Sequence, residues 1–191
     1  RMRAIQLHSE VIVDALQLAC RAPSLHNSQP WRWVTTDHTV QLFADPTRLV
    51  RSTDPTGREA LISCGAVLDH FRVAMAAAGW ATSVLRFPDP ADPLHLATVE
   101  FSPATVSDAH RSRADAILAR RTDRLPLAAP PDPDRLADSL SQVGAAGTVC
   151  VDTIPDESRS SLAEASQLTE ALRLYDSDYH SELSWWTADF V

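Results

Sequence analysis

The chain contains no lysine; all seventeen of its basic residues are arginine. Every mechanism that needs a lysine side chain (a Schiff base, a P-loop lysine, a lysine general base) is therefore excluded within these 191 residues. Glycine is scarce, five in all, and no GxGxxG, GxxxxGK[ST], GxSxG or HExxH pattern can be written. The common dinucleotide, P-loop, serine-hydrolase and zincin readings thereby lose their sequence support. The three cysteines, Cys20, Cys64 and Cys150, are odd in number, widely spaced and form no CxxC. That suits a reducing compartment and predicts three buried structural thiols, with a reactive thiol as the alternative. The seven histidines, at 8, 26, 38, 70, 95, 110 and 180, show no ligand spacing, so no metal site is expected. The longest mostly apolar stretch, 60–79, is interrupted by Ser63, Asp69, His70 and Arg72, which argues against a membrane span. The opening RMRAIQLHSE has no apolar h-region, so no signal peptide is read there and a cytoplasmic location is expected. A net charge of -8 argues against nucleic acid and anionic membranes as partners.

What is present is a globular composition, 45% hydrophobic and 22% charged. The length suits one domain or one and a half, able to bury about 70% of its unfolded surface. Ser9 can cap a helix over about 10–21, with Ile12, Ala15, Leu16 and Ala19 on one stripe and Pro23 as its stop. Two β-rich runs, 31–36 and 39–43, flank Asp37-His38 as a hairpin. A long helix is expected from about Thr56 to Ala78. It is apolar on most faces, hence buried, and ended by Gly79. Strands follow at 80–87 and 94–101, then a helix at 108–121 carrying an arginine cluster. After the proline-rich stretch 126–133 the pattern predicts a helix at 134–142, a strand at 148–154 and helices at 156–174 and 178–190. Leu162, Ala165, Leu168 and Leu172 repeat at helical spacing. The closing WWTADFV is apolar for a terminus. It predicts either that the chain is the front part of a longer protein or that a partner covers its end; the alternative folds Trp185 and Trp186 back on the core.

Two segments carry chemistry. Residues 22–33, APSLHNSQPWRW, follow a helix end and present hydroxyls, two carboxamides and two indoles. Carboxamides donate and accept at once, which suits a heterocycle edge, and Trp and Pro make flat apolar walls. An ordinary hairpin entry capped by Ser and Asn is the structural alternative. Between 111 and 124 five arginines face only Asp115 and Asp123, a local charge of +3 in an acidic chain. Guanidinium forks bind phosphate bidentately, and Thr122 within Arg120-Arg121-Thr122-Asp123-Arg124 adds a neutral donor. The alternative is a solvated basic patch at a helix C-terminus.

The string APSxxNxQPWxW resembles the signature of the FMN-dependent nitroreductase superfamily, and RRTDR resembles that superfamily's RRSxR element. RAPSLHNSQPWRW, GREALISCGAVLDHF, RRTDRLP and LYDSDYHSELSWW are together similar to the Acg-like, dormancy-associated, tandem-domain branch. The resemblance implies an α+β, nitroreductase-like fold with a mostly antiparallel sheet flanked by helices. It further implies a tandem pseudo-dimer whose second half is incomplete here: residues 1–107 as the first unit, and 108–191 as the start of the second with possible lid helices. FMN is the implied cofactor. Arg120 and Thr122 match the residues that hold the FMN phosphate, with Arg121 assisting, and Arg124 matches the basic residue facing the flavin N1–C2=O edge. Ser24, Asn27 and Gln29 match the polar loop; Pro30 and Trp31 would wall the ring, with Arg21, Arg32 and Trp33 beside them. No residue is assigned a proton-transfer or nucleophilic role.

The resemblance implies an oxidoreductase passing electrons from NAD(P)H to a nitroaromatic, quinone or similar acceptor through FMN. The alternative is a non-catalytic FMN-sequestering protein with a lidded site, and a weaker third is a pseudo-enzyme half that only dimerises. The two halves have lost complementary motifs, so one composite flavin site per chain is expected, packed against the missing C-terminal half or a second chain.

Overall fold

The computed structural model describes residues 7–36, 39–123, 125, 128–145 and 149–187. They form two compact units, one of the chain up to Thr122 together with the segment from Asp178, the other of Asp123–Ser177. In the first, β1 (Trp31–Thr35), β2 (Thr39–Ala44), β3 (Trp80–Arg86) and β4 (His95–Pro103) make an antiparallel sheet of order β1-β2-β4-β3. The expected α+β architecture is what the chain adopts. The turn residues Asp37 and His38 lie outside the described residues. Along β2 the pattern alternates, with Val40, Leu42 and Ala44 buried and Thr39, Gln41 and Phe43 only partly so. That two-residue period turns one sheet face toward α2 (Arg58–Ala77). Phe71 of α2 is fully buried there, its ring 5.1 Å from Trp33 and 6.1 Å from Phe101. α1 (Ser9–Ala19) and α3 (Asp108–Ala119) pack against α2 through Ala15, Ala19 and Ile117.

The helix ends differ from expectation in instructive ways. Ser9 is the first helical residue of α1, and His8 sits at the N-cap without a side-chain bond, its carbonyl accepting the Val11 N–H. α2 opens at Arg58, not Thr56, because Gly57 takes a left-handed φ of 72°. The buried carboxylate of Asp54 supplies the missing cap, its Oδ2 accepting the Ala60 N–H at 2.9 Å. Gly79, φ 88°, ends the helix as expected. The helix is not buried on most faces: Leu61 and Ile62 are 47% and 60% exposed, since its first turns project past the residues that α1, α3 and the sheet cover. Gly65, in its interior, costs about 0.5–1 kcal/mol relative to alanine. α3 is fixed by a capping box in which the Ser107 Oγ accepts the His110 N–H and the His110 Nδ1 accepts the Ser107 N–H.

The second unit holds α4 (Pro133–Ala145) and α5 (Arg159–Arg173). Of the strand expected at 148–154, residues 149–154 form none, because among the described residues this unit offers no second strand to satisfy their backbone groups, and Thr148 lies outside the described residues. The leucine stripe of α5 is exposed at Leu162, Leu168 and Leu172. α6 (Ser177–Thr187) belongs, from Asp178 on, to the first unit. Trp185 stays 69% exposed and does not fold back on the core. Of the cysteines only Cys64 is buried; Cys20 and Cys150 are exposed, which corrects the expectation of three buried thiols. By length and composition α2 is the one described helix long and apolar enough to cross a membrane, but one face of it packs into this core.

Candidate functional site

The loop after α1 is held in an unusual backbone. His26, Asn27 and Gln29 all have positive φ, 49°, 56° and 49°. None is glycine, so each costs on the order of 1 kcal/mol, less for Asn and His than for a branched residue. The loop is over-determined by its bonds. The Ser24 Oγ accepts the Gln29 N–H at 3.0 Å, and the Ser24 carbonyl accepts that of Asn27. Leu25 donates its N–H to Ser63 of α2 at 3.3 Å, and the Pro30 carbonyl accepts both the Cys64 thiol and the Asp45 N–H. What this clamp leaves open is two carboxamides: Asn27 is exposed, Gln29 half-buried, and neither side chain has a partner among the described residues.

The remaining residues of this segment divide. Pro30 and Trp31 are buried in the core, so neither stands as an open wall. Trp33 leans on Phe71, and its indole N–H is buried with no partner among the described residues. Arg32 points to the other sheet face, its guanidinium 4.8 Å from the centre of the Phe43 ring, which stacks on His95. Strand alternation separates the indoles from the arginine between them.

The arginine segment meets Arg21, immediately ahead of this loop. Arg120 leaves α3 with extended backbone, and its Nη2 donates to the Arg21 carbonyl at 2.6 Å across 99 positions of sequence. Arg21 returns a bond from its Nη2 to the Leu118 carbonyl at 3.4 Å. The Arg120 Nη1 donates to the Thr122 Oγ1 at 3.0 Å, and the Arg120 Nε is buried without a partner among the described residues. Arg121 instead caps α3, bonding the Leu118 and Arg120 carbonyls at 2.6 and 2.9 Å, the arrangement a helix C-terminus favours. Arg124 lies outside the described residues. His70 of α2 sits within electrostatic reach of Arg120. Burial first, and the Arg120 charge as well, hold its pKa down against the opposing pull of Asp69 and a hydrogen bond with the Ala19 backbone; its Nδ1 is the third buried atom without a partner. Burial pushes the Cys64 thiol up to about 12, which makes it inert at neutral pH.

The structure thus joins Arg120 to Arg21 and Thr122, joins Ser24 to the backbone of Asn27 and Gln29, and sends Pro30 and Trp31 into the core and Arg32 to the far sheet face. Two cavities, of about 570 and 320 Å³, adjoin α2, and neither is lined by residues 22–33 or 120–122. Sequence reasoning missed Ser63, which anchors the loop, and His70. A hydroxyl and an imidazole on a helix read as apolar gave no signal.

The chain is similar over nearly its whole length to proteins named as nitroreductases. No family model matches the chain. Over 183 residues it is 63% identical to "Putative NAD(P)H nitroreductase acg" of Mycobacterium tuberculosis, covering 95% of this chain and 55% of that protein. It is 50% identical over 186 residues to "Uncharacterized protein Rv3127" of the same organism, covering 95% of this chain and 54% of that one. The chain therefore spans about half the length of the curated relatives it matches. Among solved structures, a nitroreductase family protein of Streptococcus pneumoniae aligns with a TM-score of 0.43 at 13% identity, over 71% of this chain and 90% of that one.

Proposed function

We propose that this chain supplies most of one FMN site in a nitroreductase-type oxidoreductase that takes hydride from NAD(P)H and passes electrons to a nitroaromatic, quinone or similar acceptor. The observation that carries the reading is the Arg120–Arg21 contact, which joins the two resembling motifs across 99 positions. The donor set suits the group. Arg120 and Thr122 offer a fork and a hydroxyl to a phosphate, and Asn27 and Gln29 offer unpartnered carboxamides to a ring that both donates and accepts. Two of the three orphaned buried polar atoms, on Trp33 and Arg120, belong to residues the resemblance assigns to flavin. FMN, when bound, supplies the hydride chemistry; the chain binds and orients it, and Arg124 is assigned to its N1–C2=O edge. In the intact protein, of which 1–107 and 108–191 would be the first unit and the start of the second, the site is completed across the pseudo-dimer interface.

Titration of the intact protein with FMN is expected to give one FMN per polypeptide, and two would overturn the composite site. Arg120→Ala is expected to weaken FMN about tenfold to a hundredfold, the loss of a charge-assisted bond or two; unchanged affinity places the phosphate elsewhere. Anaerobic NADPH added to the FMN-loaded protein separates enzyme from store: rapid bleaching of flavin absorbance marks turnover, while retained colour with tight binding marks sequestration.

A further inference from the structure

The larger cavity lies between α2 and the sheet, away from the residues given to flavin. Its floor is the buried Leu42, Cys64 and Leu96, and its mouth is framed by the exposed Leu61 and Phe87. At about 570 Å³ it falls in the range of small-molecule sites, which are apolar with a few placed polar groups. Three features mark it as more than loose packing. Gly65 opens onto it from the interior of a helix, where glycine is unfavourable, and a Cβ there would meet nothing within 4 Å. No backbone neighbour among the described residues requires the glycine; what its missing side chain provides is room in the cavity. Phe87 holds a φ of 49° at the mouth, a left-handed conformation that an aromatic residue seldom adopts. The Arg86 guanidinium has no hydrogen-bond or ion-pair partner among the described residues, and that of Arg72 has only a 4.0 Å contact with Asp69. The charged lining, Arg72, Arg86 and Asp69, sums to +1 in a chain of net charge -8.

We propose that this cavity binds a small apolar carboxylate, its hydrocarbon body in the slot that Gly65 leaves and its anionic group at Arg86. A single net positive charge suits a monoanion. The inference does not depend on the flavin reading.

The test is calorimetric titration of the intact protein with naphthalene-2-carboxylate and with the neutral naphthalene-2-carboxamide. The carboxylate is expected to bind saturably and about tenfold more tightly than the amide. Arg86→Gln is expected to remove that tenfold preference and leave amide binding unchanged. Gly65→Leu is expected to abolish both while raising Tm and leaving FMN affinity as it was, and Arg120→Ala to leave the naphthalene ligands unaffected. The proposal is overturned by an absence of saturable binding at millimolar ligand or by binding that survives Gly65→Leu. It is equally overturned if Gly65→Leu lowers Tm, because the slot would then hold another part of the protein.

Discussion

Cys64 and His70 lie on the same helix, and each makes a prediction through its own environment. The Cys64 thiol is buried, bonded to the Pro30 carbonyl and raised to about 12, whereas Cys20 and Cys150 meet solvent. Two thiols are therefore expected to react with a disulfide reagent in the native protein at pH 8 and the third only on unfolding; three equivalents in the native state would contradict the placement. For His70 the folded pKa lies below the ordinary value of about 6.5. The unfolded chain then binds a proton that the folded chain resists, so stability is undiminished above that value and falls as pH drops through it. His70→Gln is expected to lose less Tm between pH 7.5 and 5.5 than the parent. Asp45, held below its usual value chiefly by its bond from Thr47, acts in a separate window: its stabilisation is lost only as pH falls below the ordinary carboxylate range. At this scale the sequence displayed the types that matter. The carboxamides, the arginines and the Thr122 hydroxyl were legible as chemistry, while the left-handed φ of Gln29 was not, because that residue type does not announce it.

Elements were most legible where periodicity and punctuation agreed. The strand alternation of β2, the 20-residue α2 and its stop at Gly79 follow from pattern, because local preference and burial point the same way. Residues 149–154 are β-rich and read as a strand, yet a strand exists only with a partner, and partners are not written in local sequence. The opening of α2 was also missed, since its cap comes from Asp54, outside the usual position. Gly79 and Gly65 should respond oppositely to alanine. At Gly79 a Cβ would sit 3.6 Å from the Ala104 carbonyl and Val106, ordinary contact, so the cost is that of the left-handed backbone. That cost is about 1–2 kcal/mol, equivalent to a Tm loss of roughly 2–8 °C at this chain length. At Gly65, with helical φ and open space, alanine is expected to gain about 0.5–1 kcal/mol. Thermal unfolding of the two variants checks both signs, and destabilisation at Gly65 would mean that the helix is packed more closely there than this structure shows.

Across the whole molecule the contacts that decide organisation join distant positions, where sequence carries no local signal. Arg120 to Arg21 is one such contact. Glu182 of α6 is another: its Oε1 accepts the Ser52 N–H at 3.1 Å, and its Oε2 accepts the Thr53 N–H and hydroxyl at 2.9 and 3.0 Å. One carboxylate thus satisfies three donors of a loop about 130 positions earlier, just ahead of the Asp54 that caps α2. Charge-assisted bonds to backbone N–H groups are among the stronger ones, and leaving those donors unpaired costs more than the bonds return when made. This clasp joins the C-terminal helix to the sheet-bearing unit. Glu182→Ala is therefore expected to raise amide exchange at Ser52 and Thr53 about tenfold or more, the rate equivalent of roughly 1.4 kcal/mol of lost protection. Exchange in α6 should rise with it, and that in β2 and β4 should not. Glu182→Gln, which keeps one acceptor oxygen, should fall between parent and alanine. Equal exchange in all three proteins would mean that the loop keeps its shape without α6, and that the helix rests on this unit rather than holding it.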